Sequence, residues 1–301
     1  MRALITGVEG FLGRHFAAEL ERRSWEVEGC DITDALPLDC RSFFADIFGP
    51  PVGHYNLVVH CAAVVGGRAK IEGSPLETAV NLELDAAMFR WAARSRPGRV
   101  LYISSSAAYP VTYQGTGPLS APLPLVENYQ VPGALIGVGL PDAVYGWSKV
   151  IGEVLAGELR KSGVPVTVVR PFSGYGTDQS PDYPFRAFID RALRREDPFR
   201  LWCGDCVRDF IHVDDVVAGA LAFAEAGIDG PVNLCTGVPT SFTELARMVC
   251  EAAGYLPEIV PDPAAPAGVA YRVGDPTAMH ALYVPKVDLS TGIRRALDGV
   301  L

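Results

Sequence analysis

Tyr145 and Lys149 lie four residues apart in Tyr145-Gly146-Trp147-Ser148-Lys149, a spacing that brings a phenol and an ammonium to one face of a helix. An unperturbed tyrosine titrates near ~10, so its phenolate is scarce at neutral pH unless a neighbouring positive charge favours it. Lys149 supplies that charge. Such a pair is suited to taking a proton from a hydroxyl and returning it. Tyrosine and lysine at this spacing also occur on ordinary amphipathic helices, so the reading depends on the chain around them.

A second group of residues is suited to binding. Thr6-Gly7-Val8-Glu9-Gly10-Phe11-Leu12-Gly13 separates a short apolar run, residues 2–6, from apolar residues at helical spacing: Phe11, Leu12, Phe16, Ala17 and Leu20. Glycines between a strand and a helix allow a tight turn, let backbone approach a pyrophosphate, and aim the helix N-terminal amides at it. The next apolar run, residues 27–30, ends at Asp31, 24 residues after Gly7. A carboxylate there accepts hydrogen bonds from a ribose 2'-hydroxyl and repels a 2'-phosphate, which favours NAD over NADP. Phe43, Phe44 and Ala45 are expected to form a third strand ending at Asp46, whose carboxylate either meets the adenine or caps a turn. Residues 57–63 read as a buried strand followed by small residues, suited to backbone passing a cofactor, with His60 structural.

The elements between these groups set where they meet. Residues 75–94 read as a helix that is apolar almost all round, covered on both sides, with Asn81 needing a partner if buried. Residues 100–103 form a buried strand that ends in Ser104-Ser105-Ser106, and ligands of an open parallel sheet sit beyond the strand C-termini. Residues 111–141, rich in proline and glycine and without periodicity, read as a lid or binding loop. After the Tyr145 helix come strands at 166–169, 199–202 and 208–215, helices at 185–194 and 216–224, a strand at 232–235, and helices at 241–253 and 289–297. This alternation implies an α/β fold with a doubly wound parallel sheet, Rossmann-like.

Composition narrows the partners. With 301 residues, 49% of them hydrophobic and 20% charged, the chain can bury a large core. A net charge of -9 argues against a general nucleic-acid binder, which needs a basic face. The N-terminal apolar run meets Gly7 too soon for a signal peptide, and no apolar run reaches membrane-spanning length, so a cytoplasmic protein without membrane attachment is expected. The seven cysteines form no disulfide framework, and Cys203 and Cys206, a CxxC without a second pair, are expected as reduced thiols with no metal.

The glycine loop, Asp31, the SSxxxY segment ending at Tyr109, the Tyr145/Lys149 pair, Arg208-Asp209-Phe210-Ile211-His212-Val213-Asp214-Asp215 and the late Arg272 fall in one order along the chain. In that order the chain resembles the extended short-chain dehydrogenase/reductase family, and within it the nucleotide-sugar epimerases and dehydratases. The resemblance implies NAD bound by a Rossmann-like domain, residues 1–172 and 213–236, and a smaller interleaved α/β substrate domain, residues 173–212 and 237–301. It implies catalytic roles for Ser105, Tyr145 and Lys149, with Ser106 the runner-up serine. Gly7, Gly10, Phe11, Leu12, Asp31, Asp46, Ile47, Cys61, Ala62, Ala63 and Asn81, together with Tyr145 and Lys149, match the cofactor-binding positions. Ser106, Ser173, Arg208 and Arg272 match substrate-binding positions, the two arginines holding the diphosphate of a nucleoside-diphosphate sugar.

What the resemblance implies is epimerisation at carbon 4 through a 4-keto sugar, by an enzyme that pairs as a homodimer through the helices at 75–94 and 145–162. A 4,6-dehydratase would need an Asp-Glu pair where this chain has Ser106-Ala107, and a GDP-sugar 3,5-epimerase/reductase a cysteine where it has Ala107. Asp178 and Asp182 are the carboxylates that could replace them. The Ala62 to Gly67 and Tyr109-Pro110 stretches resemble the GDP-sugar branch. A dinucleotide-sensing Rossmann protein is the alternative of another class. It would have little reason to keep Ser105, Tyr145 and Lys149 together.

Overall fold

The computed structural model describes residues 1–33, 36–45, 54–66, 73–115, 124–127, 139–262 and 268–299. Asp46, Ile47 and most of the 111–141 loop lie outside the described residues. The chain begins with β1 (Arg2–Thr6), α1 (Phe11–Arg22), β2 (Glu26–Cys30), α2 (Cys40–Phe44), β3 (Leu57–His60), α3 (Pro75–Ser95), β4 (Val100–Ile103), α4 (Ala143–Lys161) and β5 (Val166–Pro171). Then follow β6 (Ser173–Tyr175), α5 (Pro184–Leu193), β7 (Phe199–Leu201), β8 (Val207–His212), α6 (Val213–Glu225), β9 (Val232–Leu234) and β10 (Pro239–Ser241). The chain closes with α7 (Phe242–Ala252), β11 (Ile259–Pro261), β12 (Tyr271–Arg272), α8 (Thr277–His280) and α9 (Leu289–Asp298).

Six strands form one parallel sheet in the order β9-β5-β4-β3-β1-β2. Alternate residues of each strand enter opposite cores, as the period of two requires. Ala3, Ile5, Val59, Leu101 and Val169 pack with Phe16, Leu20, Val217 and Leu221 from α1 and α6. Leu4, Val58, Val100, Tyr102 and Val168 pack on the other side with Met88, Phe89, Trp91, Ala156 and Leu159 from α3 and α4. A separate core joins α5, α7 and α9 around Phe185, Phe188, Phe199, Phe210, Leu245 and Ile293. β8 stands at its edge, paired with β6, β10 and β12.

Three expectations change here. The run at Phe43-Phe44 is helical, not a strand: the Asp39 carboxylate caps it by accepting the Arg41 amide at 2.7 Å, and Phe44 packs on Trp91 with ring centres 5.0 Å apart. Two apolar residues have no period of their own, so the cap and the aromatic contact decide. Cys203 and Cys206 are joined as a disulfide, their Cα atoms 5.3 Å apart, because a turn closed by Cys206 N–H on the Cys203 carbonyl folds one over the other. Helix α3 is also less apolar in its packing than in its composition. It buries Thr78, Asn81 and Asp85 and leaves Leu76 86% exposed.

One buried ion pair ties the end of the sheet to α4. Arg170 is fully buried and donates to both Glu153 carboxylate oxygens, at 2.8 and 2.6 Å. Its third nitrogen bonds the Glu127 carbonyl at 3.1 Å, and its plane covers the Tyr109 ring at 4.6 Å. Ser104 donates to Glu153 as well, at 2.5 Å. Removing one member of such a pair strands the other in a dry core. Arg170→Met is therefore expected to cost roughly 3–5 kcal/mol in denaturant unfolding, and the double change with Glu153→Leu to recover most of it.

Candidate active site

The site forms where β1, β3 and β4 end. Gly7 adopts φ +68°, and a Cβ built on it would stand 2.8 Å from the Ala62 backbone. A Cβ on Gly13 would stand 2.0 Å from the Gly7 carbonyl oxygen, so the first turn of α1 packs directly on the loop. Cys61, Ala62 and Ala63 run alongside: Cys61 N–H bonds the Thr6 carbonyl at 3.1 Å, and Ala62 N–H bonds the Thr6 hydroxyl at 3.1 Å. Asp31, just past β2, accepts the Glu9 amide at 2.8 Å and the Ile32 amide at 2.7 Å, which sets its carboxylate against the glycine loop. The Gly10 amide closes the loop on the Gly7 carbonyl at 3.0 Å, and bare backbone, the start of α1 at Phe11 and Leu12, and a carboxylate at this place fit a dinucleotide. Asn81, expected among the cofactor contacts, spends its amide on Val64, accepting from its N–H at 2.6 Å and donating to its carbonyl at 3.0 Å. It thereby shapes the segment after β3.

Ser105 and Tyr145 meet because α4 starts hard against the serine turn. Asp142 N–H bonds the Ala107 carbonyl at 3.0 Å, and a Cβ on Gly146 would lie 2.4 Å from that oxygen. Ser105 accepts the Ala107 amide at 3.1 Å, and its side chain is hydrogen-bonded to the Tyr145 phenol. Ser106, one residue on, is buried in the turn. Lys149 is 3% exposed, donates to the Ile103 carbonyl at 3.0 Å, and stands 5.8 Å from the centre of the Tyr145 ring. Burial pushes the Tyr145 phenol up to about 12, opposed by the Ser105 hydrogen bond and the charge of Arg272. Burial lowers the Lys149 pKa, and the nearby Asp85, Cys61 and Glu153 oppose that.

On the far side, β8 and β12 run parallel with Arg208 and Arg272 in register. The buried Asp209 carboxylate holds this corner together, accepting the Thr236 amide and hydroxyl, the Gly237 amide and the Gly274 amide at 2.7 to 3.2 Å. Arg208 lies over the Phe242 ring at 5.3 Å. Arg272 is engaged: it donates to Asp142 at 2.5 Å and to Gln114 at 2.5 Å. Gln114 is itself buried and oriented by the Tyr109 and Pro110 carbonyls at 2.9 and 3.2 Å. Ser173 opens β6 opposite Phe210 and is half-buried.

Sequence reading missed several neighbours. Asp142 and Gln114 sit in or beside the aperiodic loop, where nothing in the local pattern marks them. Tyr183 precedes α5, and burial, then the Tyr145 phenol and Asp182, raise its pKa. Asp178, nominated above as a spare acid, accepts from Arg14 at 2.9 Å and pairs with His15 at 3.0 Å, so it ties its loop to α1.

The NAD dependent epimerase/dehydratase family model matches residues 3–235. The chain belongs to that family. NAD is accordingly its cofactor, and the enzyme class is that of nucleotide-sugar epimerases, dehydratases and reductases. A dTDP-4-dehydro-6-deoxy-D-allose reductase of Streptomyces bikiniensis is 29% identical over 299 residues, covering 92% of this chain and 88% of the relative. The GDP-L-fucose synthase of Escherichia coli K12 is 24% identical, covering 97% and 94%. The fold matches a UDP-glucose 4-epimerase from Thermotoga maritima with a TM-score of 0.82, at 24% identity and with 99% and 98% of the two chains aligned. Among the described residues no helix is long and apolar enough to cross a membrane, and no cluster of three metal-ligating side chains occurs.

If Tyr145 moves the proton, Tyr145→Phe removes only a hydroxyl from a ring held by its surroundings. Turnover should fall by ~10²–10⁴ or more while NAD affinity, measured by calorimetry, stays within a few-fold.

Proposed function

We propose that this enzyme is a nucleotide-sugar 4-epimerase that works through a 4-keto intermediate. The observation that carries the reading is the convergence of Ser105, Tyr145 and Lys149 beside the glycine loop, with the paired arginine strands opposite. Bound NAD supplies the acceptor, and afterwards the donor, of the hydride. Tyr145 takes the proton of the sugar 4-hydroxyl, which Ser105 holds by hydrogen bond, and later returns it. Lys149 stabilises the phenolate that this requires, the more strongly because the site is dry. Arg208 and Arg272 grip the diphosphate while the keto-sugar turns over, and Arg272 must then divide its donors between phosphate and Asp142.

A second reading, reduction of a 4-keto sugar with one-way use of reduced cofactor, draws on the identity to the allose reductase and the fucose synthase. Asp142, whose backbone amide is bonded to the serine turn, has its carboxylate committed to Arg272, and Glu153, which accepts from Ser104, is committed to Arg170, which makes both weak bases for pulling a carbon-bound proton. That favours chemistry without such a step. Run in heavy water on a panel of UDP-, GDP- and dTDP-sugars, the 4-epimerase should give product with no deuterium on carbon and no net change in NADH absorbance. Deuterium at carbon 3, 5 or 6 would point to proton abstraction, and stoichiometric oxidation of NADH to the reductase.

The outer faces of α3 and α4 expose Leu76, Trp147 and Ile151, which supports a homodimer through these helices. Sedimentation at micromolar concentration should give twice the chain mass, and Trp147→Glu should shift it toward monomer.

A further inference from the structure

Below the site, four side chains that are almost wholly buried form a hydrogen-bonded row: Thr6, His60, Asp85 and Tyr102. Thr6 accepts the Ala62 amide at 3.1 Å, which directs its own hydroxyl proton to His60 Nδ1 at 2.7 Å. His60 Nε2 then carries the ring hydrogen and donates it to Asp85 Oδ1 at 3.1 Å, while Tyr102 donates to Oδ2 at 2.6 Å. Asp85, which takes these two donors, is 1% exposed. An ionised carboxylate in such a place needs a cation nearby.

Lys149 is that cation. Its ammonium lies over the Tyr102 ring, 5.2 Å from the centre, and a Cβ on Gly152, less than one turn further along α4, would stand 2.7 Å from Asp85 Oδ2 and 1.8 Å from the Tyr102 oxygen. The absence of a side chain at Gly152 lets the carboxylate reach the lysine face of the helix. The other ionisable groups around Lys149 are accounted for. Glu153 on α4 is matched by Arg170. The Cys61 thiol after β3 is pushed up to about 12 by burial and stays neutral. Tyr145 is the group to be activated, and Tyr102 and His60 face Asp85.

We propose that Asp85 is the buried counter-charge of Lys149, a positioning residue that keeps the ammonium protonated beneath Tyr145. The proposal rests on the reading of Tyr145 and Lys149 as the acid-base pair. Asp85 acts on that pair in two opposed ways: it favours the lysine cation and disfavours the phenolate. Taking its charge away therefore lets Lys149 lose its proton at lower pH and lets Tyr145 ionise at lower pH.

The chain has four lysines, Lys70, Lys149, Lys161 and Lys286, so a protein labelled with ¹³C at lysine Cε gives four signals, with Lys149 identified by its loss in Lys149→Met. In the unsubstituted holoenzyme the Lys149 signal should keep the charged position through neutral pH. Finding it neutral there overturns the proposal, whether or not any variant folds. In Asp85→Asn the Lys149 pKa should fall by about one unit or more. An unchanged titration in folded, NAD-binding Asp85→Asn also overturns it. Neither measurement needs a substrate, so either outcome stands apart from the assignment of the reaction. Once a substrate is in hand, both limbs of the kcat/KM pH profile should move to lower pH in Asp85→Asn. A loss of rate that is equal at every pH would mark Asp85 as structural and sink the idea.

Discussion

The constraint on which the site depends is an ammonium held almost out of water. Lys149 is 3% exposed, and its fixed contacts are a carbonyl at the end of β4 and the face of Tyr102. A lysine so placed is of use to Tyr145 only if it stays charged, and burial works against that. Much of the polar interior beneath the site answers this conflict. Asp85 brings a negative charge from α3, Glu153 brings another from α4, and Arg170 offsets the second so that the interior does not accumulate uncompensated charge. Of the polar residues buried on α3, Asp85 serves this balance, while Thr78 bonds the Ser74 carbonyl and Asn81 the Val64 backbone.

The same economy of contacts governs the substrate side. Two arginines stand in register on neighbouring strands, and like charges that close are stable only when neutralised. Asp209 bonds backbone amides on three sides and fixes the strands, while Asp142 and Gln114 take up the donors of Arg272. Asp142 also begins the helix that carries Tyr145. Under the proposed function, a substrate diphosphate arriving at Arg272 would perturb Asp142, and through it the start of the helix that carries Tyr145.

The family match and the reductases among the relatives agree with this division of labour. The hydride machinery around NAD is shared, and the outcome for the sugar depends on which acids and bases line the other wall. In this chain that wall has Ser106 and Ala107 in the serine turn and Asp142 bound to Arg272. Neither of the two positions after Ser105 in the chain, Ser106 and Ala107, offers a carboxylate or thiol, and this is what separates the carbon-4 reading from proton abstraction at a neighbouring carbon.

By itself, the sequence determined the parts whose signal is local. Strands buried on both faces, the glycine loop ending at an acid, and a tyrosine four residues before a lysine are all patterns with short periods, and they gave the parallel sheet, the cofactor and the proximity of Tyr145 to Lys149. It failed where the decision was made by contacts distant in the chain. Phe43-Phe44 became helix through a cap and Trp91, and Cys203 and Cys206 were joined by a turn. Asp85, Gln114, Asp142 and Tyr183 carried no mark in their own segments. Their meaning comes from charge and hydrogen-bond balance across elements: a buried carboxylate is legible only once the cation it faces is known, and that pairing exists only after α3, α4 and β4 have packed together.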